Sequence, residues 1–160
     1  MSYRMPREPS TPRIAVWRAL KRLGVAQLGD GLVALPADAR TREHLEWVAD
    51  HVSEAGGEAS IWLAHPASLG QERQLAARMA AARAEEYTTV RADAEAALRD
   101  SAANPATVVR RLRGELRRIG RRDYFPPAER DQAHAAVNAL AATVHNADAQ
   151  SNTDERQDTA

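Results

Sequence analysis

At 160 residues the chain has room for one compact domain of ordinary size, about 100–150 residues, plus an accessory segment, which excludes two large independent domains. Twenty-two basic and twenty-two acidic residues cancel, so bulk charge provides no general pull toward DNA, RNA or anionic lipid. The absence of Cys excludes a disulfide framework, a thiolate metal site and a Cys nucleophile, and no stretch has the run of roughly 18 apolar residues that a membrane span requires.

A soluble cytoplasmic protein is therefore the expectation, with no membrane partner. Aromatic residues make up only 4% of the chain against an apolar share of 44%, so the core has to be built from Ala, Leu and Val, with the three Trp as its large pieces. Such a composition favours helix.

The segment "SYRM" at the start reads as a short strand. A helix follows over 10–24: Ser10 or Thr11 can cap its free amides, Pro12 suits its first turn, and Gly24 suits its end. Ile14, Val16, Trp17, Leu20 and Leu23 form the apolar stripe through partners three and four residues apart (14/17, 17/20, 20/23 and 16/20), leaving Arg13, Arg18, Lys21 and Arg22 off it. Trp17 is thereby expected to point inward, in preference to stacking on nucleic acid.

Two β-prone runs at 25–28 and 31–35 surround Gly29-Asp30-Gly31, a hairpin turn in composition. Asp38 can cap a second helix over 39–55, with Leu45, Val48, Val52 and Ala55 on one face, Trp47 beside them, and Gly56-Gly57 as the stop. "EASIWLA" at 58–64 reads as a fourth strand carrying Trp62. The order strand, helix, strand, strand, helix, strand predicts an α+β fold of the ferredoxin-like βαββαβ type over residues 1–66, with Trp17, Leu20, Trp47 and Trp62 in its core.

Residues 67–147 contain no strand signal and read as a helical extension of about three helices, near 70–100, 106–121 and 127–146. Asn104-Pro105 and Asp123-Tyr124-Phe125-Pro126-Pro127 are the breaks between them. Leu75, Met79, Ala82, Tyr87, Val90, Ala94 and Leu98 form the contact stripe of the first. Residues 148–160 have no apolar stripe and are expected to be disordered.

In this order the pieces "MPREPST", "VWRALKRLGV", "VALP", "AEEY" and "RRDYFPPAER" resemble the N-terminal domain of ChrB, a regulator encoded with bacterial chromate exporters. A looser kinship with the PaaX-type repressors rests on the first helix. The resemblance implies a cytoplasmic, chromate-responsive regulator of transcription. It also implies a larger C-terminal domain in full-length members, so that a separately encoded domain of that type becomes a candidate partner beside a homodimer. The PaaX central domain looks like a small nuclease fold that uses a carboxylate at the end of its first strand. Here Tyr3-Arg4-Met5-Pro6-Arg7 brings no acid before Glu8, which argues against a metal nuclease.

"RRLRGELRRIGRR" places seven Arg within thirteen positions, the one strongly basic block of the chain, and an acidic tail follows it. On a helix Arg110, Arg113, Arg117 and Arg121 share a side, while Arg111, Arg118 and Arg122 spread charge around it. Three readings stay open: phosphate contacts with DNA, capture of an oxyanion such as chromate by guanidinium forks, and a solvated face paired with Glu85, Glu86, Asp93 and Glu95. Arg13, Arg18, Lys21 and Arg22, with Arg4 and Arg7, form a second, weaker basic candidate. Glu43, Glu46, Asp50 and Glu54 with His44 and His51 read as a charged solvent face rather than a metal site, because the two His are two turns apart.

No phosphate loop, nucleophile elbow or dinucleotide fingerprint occurs, and no cofactor is expected. The sequence thus reads as a non-enzymatic regulatory or accessory protein of chromate resistance. The alternative is a protein interaction module docking through Tyr87, Val90 and Leu98, and a chromate-binding or chromate-reducing enzyme is the third.

Overall fold

The computed structural model describes the backbone of residues 1–99 and 104–157 and the side chains of residues 1–99 and 104–144. Its elements run β1 (Ser2–Arg4), α1 (Ser10–Leu23), β2 (Ala26–Gly29), β3 (Leu32–Ala34), α2 (Ala39–Glu54), β4 (Glu58–Ser60), α3 (Leu69–Arg99), α4 (Pro105–Gly120) and α5 (Glu129–Gln157). This α+β chain divides into two units, Met1–Ala80 with Arg122–Phe125, and Ala81–Arg121 with Pro126–Ala160. The division falls within α3, which runs without a break past Ala80.

In the first unit the four strands form one antiparallel sheet in the order β2-β3-β1-β4. Asp30-Gly31 makes the turn between β2 and β3, and Gly31 is required there twice over. Its φ is +68°, and a Cβ would stand 2.2 Å from the carbonyl oxygen of Tyr3. Tyr3 N–H in turn donates to Gly31 O at 2.7 Å, so the turn and β1 hold each other.

Helix α2 starts at a capping box: Asp38 Oδ1 accepts from Thr41 N–H at 2.8 Å, and Thr41 Oγ1 accepts from Asp38 N–H at 3.2 Å. Helix α1 lacks the expected Ser or Thr cap, because both residues lie inside its first turn and Pro9 occupies the cap position. Gly24 closes the same helix at φ +72°.

The core of this unit joins Val16, Ala19 and Leu20 of α1 to Leu45, Val48 and Val52 of α2, over Met1 and Val33. Leu20 lies in it, but the three tryptophans do not. Trp17 is 50%, Trp47 54% and Trp62 69% exposed. The cause is geometric. Each residue turns a helix by about 100°, so Trp17 and Trp47 sit on the shoulders of the stripes centred on their neighbours Val16 and Val48. Strands of three or four residues then offer too few inward side chains to cover those shoulders.

The fourth strand ends at Ser60 rather than 64. Beyond it Ile61, Trp62 and Leu63 are exposed, and the Trp62 indole N–H donates to Ser2 Oγ at 3.1 Å.

The second unit is helical. Tyr87, Val90 and Ala94 of α3 pack with Val109, Leu112, Leu116 and Ile119 of α4 and with Ala133, Val137 and Leu140 of α5. Asn104 caps α4 through Thr107 N–H, and Pro105 fills its first position. One expectation is corrected here. Tyr87 and Val90 are core residues, so the proposed docking face of Tyr87, Val90 and Leu98 is largely internal; only Leu98 is exposed. Residues 148–157 of the tail expected to be disordered form the last turns of α5. Residues 158–160 of that expectation lie outside the described residues.

Candidate functional site

The buried residues Val109, Leu112, Leu116 and Ile119 set the orientation of α4. Arg110, Arg113 and Arg117 each follow a buried position by one residue, so they flank the core edge instead of standing opposite it. There they line a groove of about 460 Å³ whose apolar surface comes from Ala106 and Val109 of α4 and Ala141 and Val144 of α5. The three guanidinium groups are exposed and make no ion pair with a described side chain.

The other arginines of the block have different fates. Arg111 bonds Asp93 of α3 at 3.0 Å, one of the acidic partners expected of a solvated face. Arg118 bonds Glu115 one turn back. Both pairs are exposed and worth about 0.2–1 kcal/mol. Arg121 is exposed at the end of α4, whereas Arg122 belongs to the other unit and is itself partnered. The structure thus brings together three of the seven on one groove and spends two on local pairing.

On α1, Arg18, Lys21 and Arg22 are exposed. Lys21 rests its ammonium over the Trp17 ring, 5.1 Å from the centroid. Arg22 instead lines a shallow depression with Ala19, Leu23, His44 and Trp47. The Trp47 ring packs on His51 with centroids 4.0 Å apart, and His51 Nδ1 lies 2.8 Å from Trp47 O. Among the described residues no group of three or more His, Asp or Glu converges as a metal site would require, and no helix is long and apolar enough to cross a membrane.

Sequence patterning placed the arginines on one side of α4 but missed the wall opposite them. Ala141 and Val144 carry no signal of their own. They matter because α5 packs beside α4, and their short side chains leave the space open.

The sequence model of one protein family, described as Protein ChrB, N-terminal, matches residues 13–102, more than half of the chain. The chain belongs to the ChrB N-terminal family. That ChrB match begins within α1, runs through α3 and stops before α4, so the arginine groove lies beyond it. Membership associates the chain with chromate resistance. No curated protein and no solved structure matches it.

Proposed function

We propose that this ChrB-family chain is a non-enzymatic regulatory or accessory protein of chromate resistance, acting in the cytoplasm and binding DNA through Arg110, Arg113 and Arg117 of α4. The carrying observation is that these three cations share one open groove and have no described acidic partner. From Arg110 to Arg117 the helix rises about 10 Å. That distance distributes the charge along a row of phosphates, which step by about 3.4 Å per strand along duplex DNA.

A single chromate is less well served by the same row, because one tetrahedral dianion needs donors converging from several elements. The ferredoxin-like reading of the first unit is supported by its βαββαβ order and by the neighbours β4-β1-β3-β2 in an antiparallel sheet.

Partnership with a separately encoded ChrB C-terminal-type domain is the second reading, favoured by the exposed apolar run Ile61, Trp62 and Leu63. Co-purification with such a domain, lost on changing Trp62 and Leu63 to Ser, would support it.

Gel-shift titration of duplex from upstream of the protein's own gene tests the first reading. Wild type should bind, and the Arg110→Ala, Arg113→Ala, Arg117→Ala triple variant should bind at least tenfold more weakly with an unchanged circular dichroism spectrum. No binding by wild type, or equal binding by both, rejects it.

A further inference from the structure

In the first unit, Trp17 is half-exposed beside a second groove of about 500 Å³, a volume ordinary for a small-molecule site. Its walls come from β1, α1, β2, the β2–β3 turn and the segment after β1, and they are chemically mixed. Ile14 and Trp17 of α1 with Met5 form an apolar side. Arg4, where β1 ends, and Arg13, in the early turns of α1, bring two positive charges. Asp30 in the β2–β3 turn and Gln27 of β2 bring acceptors and an amide.

The turn that presents Asp30 is tied to β1 by the bond from Tyr3 N–H to Gly31 O at 2.7 Å. Tyr3 also lines the groove, and burial first and Asp30 second raise its phenol above the ordinary range, so it stays a neutral donor.

We propose that this groove binds a nucleoside monophosphate, with the base against the Trp17 indole, the phosphate on Arg4 and Arg13, and ring or sugar donors on Asp30. Each part of the ligand answers a part of the wall. A flat ring suits a half-exposed indole, whose face is tolerant of any base. Phosphate oxygens match guanidinium forks. Asp30 selects against a simple aryl carboxylate, which carries no donor and would set a second carboxylate against it. The site stands apart from the DNA reading, because none of its residues is on α4 and it lies in the other unit.

Isothermal titration of the full chain with AMP, adenosine and inorganic phosphate tests it. AMP should bind saturably, with adenosine and phosphate each at least tenfold weaker. Trp17→Ala and Arg13→Ala should each weaken AMP at least tenfold, while Trp47→Ala, exposed but outside the groove, should leave it unchanged. Should Trp17→Ala fail to fold, Arg13→Ala decides, since that side chain is exposed. Absence of saturable AMP binding, phosphate binding as tightly as AMP, or wild-type affinity in the Arg13 variant overturns the proposal. DNA binding by the same variants is expected to be retained, so failure here is distinguishable from failure of the α4 reading.

Discussion

Tyr124 donates its hydroxyl to the carbonyl oxygen of Leu23 at 3.0 Å, across 101 positions of sequence. Leu23 ends α1, where backbone carbonyls lack helical partners, so the phenol satisfies one of them from a segment that follows α4. Tyr124→Phe keeps the ring and removes that partly buried bond. The variant should lose about 0.5–1.5 kcal/mol of stability in urea titration. An unchanged midpoint would show the bond to be idle.

With all three tryptophans half-exposed or more, the native protein should emit with a red-shifted maximum and be quenched readily by acrylamide. Trp62→Ser should change stability by no more than about 0.5 kcal/mol, as surface substitutions do. A blue-shifted native spectrum would place an indole in the core and contradict the packing described.

Leu112 is completely buried between the helices of the second unit. Leu112→Ala leaves a cavity there and should cost about 2–5 kcal/mol. Thermal melting followed by circular dichroism reads this. The neighbouring exposed change Arg111→Ala removes only a surface pair and should move the melt far less.

Asp38 titrates below its ordinary carboxylate range, chiefly because Thr41 N–H bonds its ionised form at the start of α2. A group whose folded pKa is depressed contributes stability that is present above its unfolded pKa and lost as pH falls through the folded value. Wild type should therefore lose stability on acidification below the usual carboxylate range. Asp38→Asn should flatten part of that acid limb in melts taken across pH, and an identical acid limb in the variant would remove the cap from the account.

Local chemistry made much of the fold readable. Asp38 and Gly24 announce a helix start and stop, Asp30-Gly31 announces a hairpin, and Asn104-Pro105 announces a new helix, because each residue's own backbone preferences or side-chain bonds suffice. The tryptophans were not readable, since periodicity gives the direction of an apolar face but not its width. Trp17 falls within a plausible stripe, yet the short strands beneath cover only Val16, Ala19 and Leu20. The candidate site was half legible for the same reason. Arg110, Arg113 and Arg117 share a side by helical spacing alone, whereas the wall of Ala141 and Val144 exists only once α5 lies against α4.

The most direct test of DNA recognition by α4 is the salt dependence of binding to the upstream duplex, plotted as log Kobs against log salt concentration for wild type and the Arg110, Arg113, Arg117 triple Ala variant. Each phosphate contact contributes a slope of about −0.9, so the variant's line should be shallower by about 2.7. Parallel lines would show that these arginines touch no phosphate and would contradict the account.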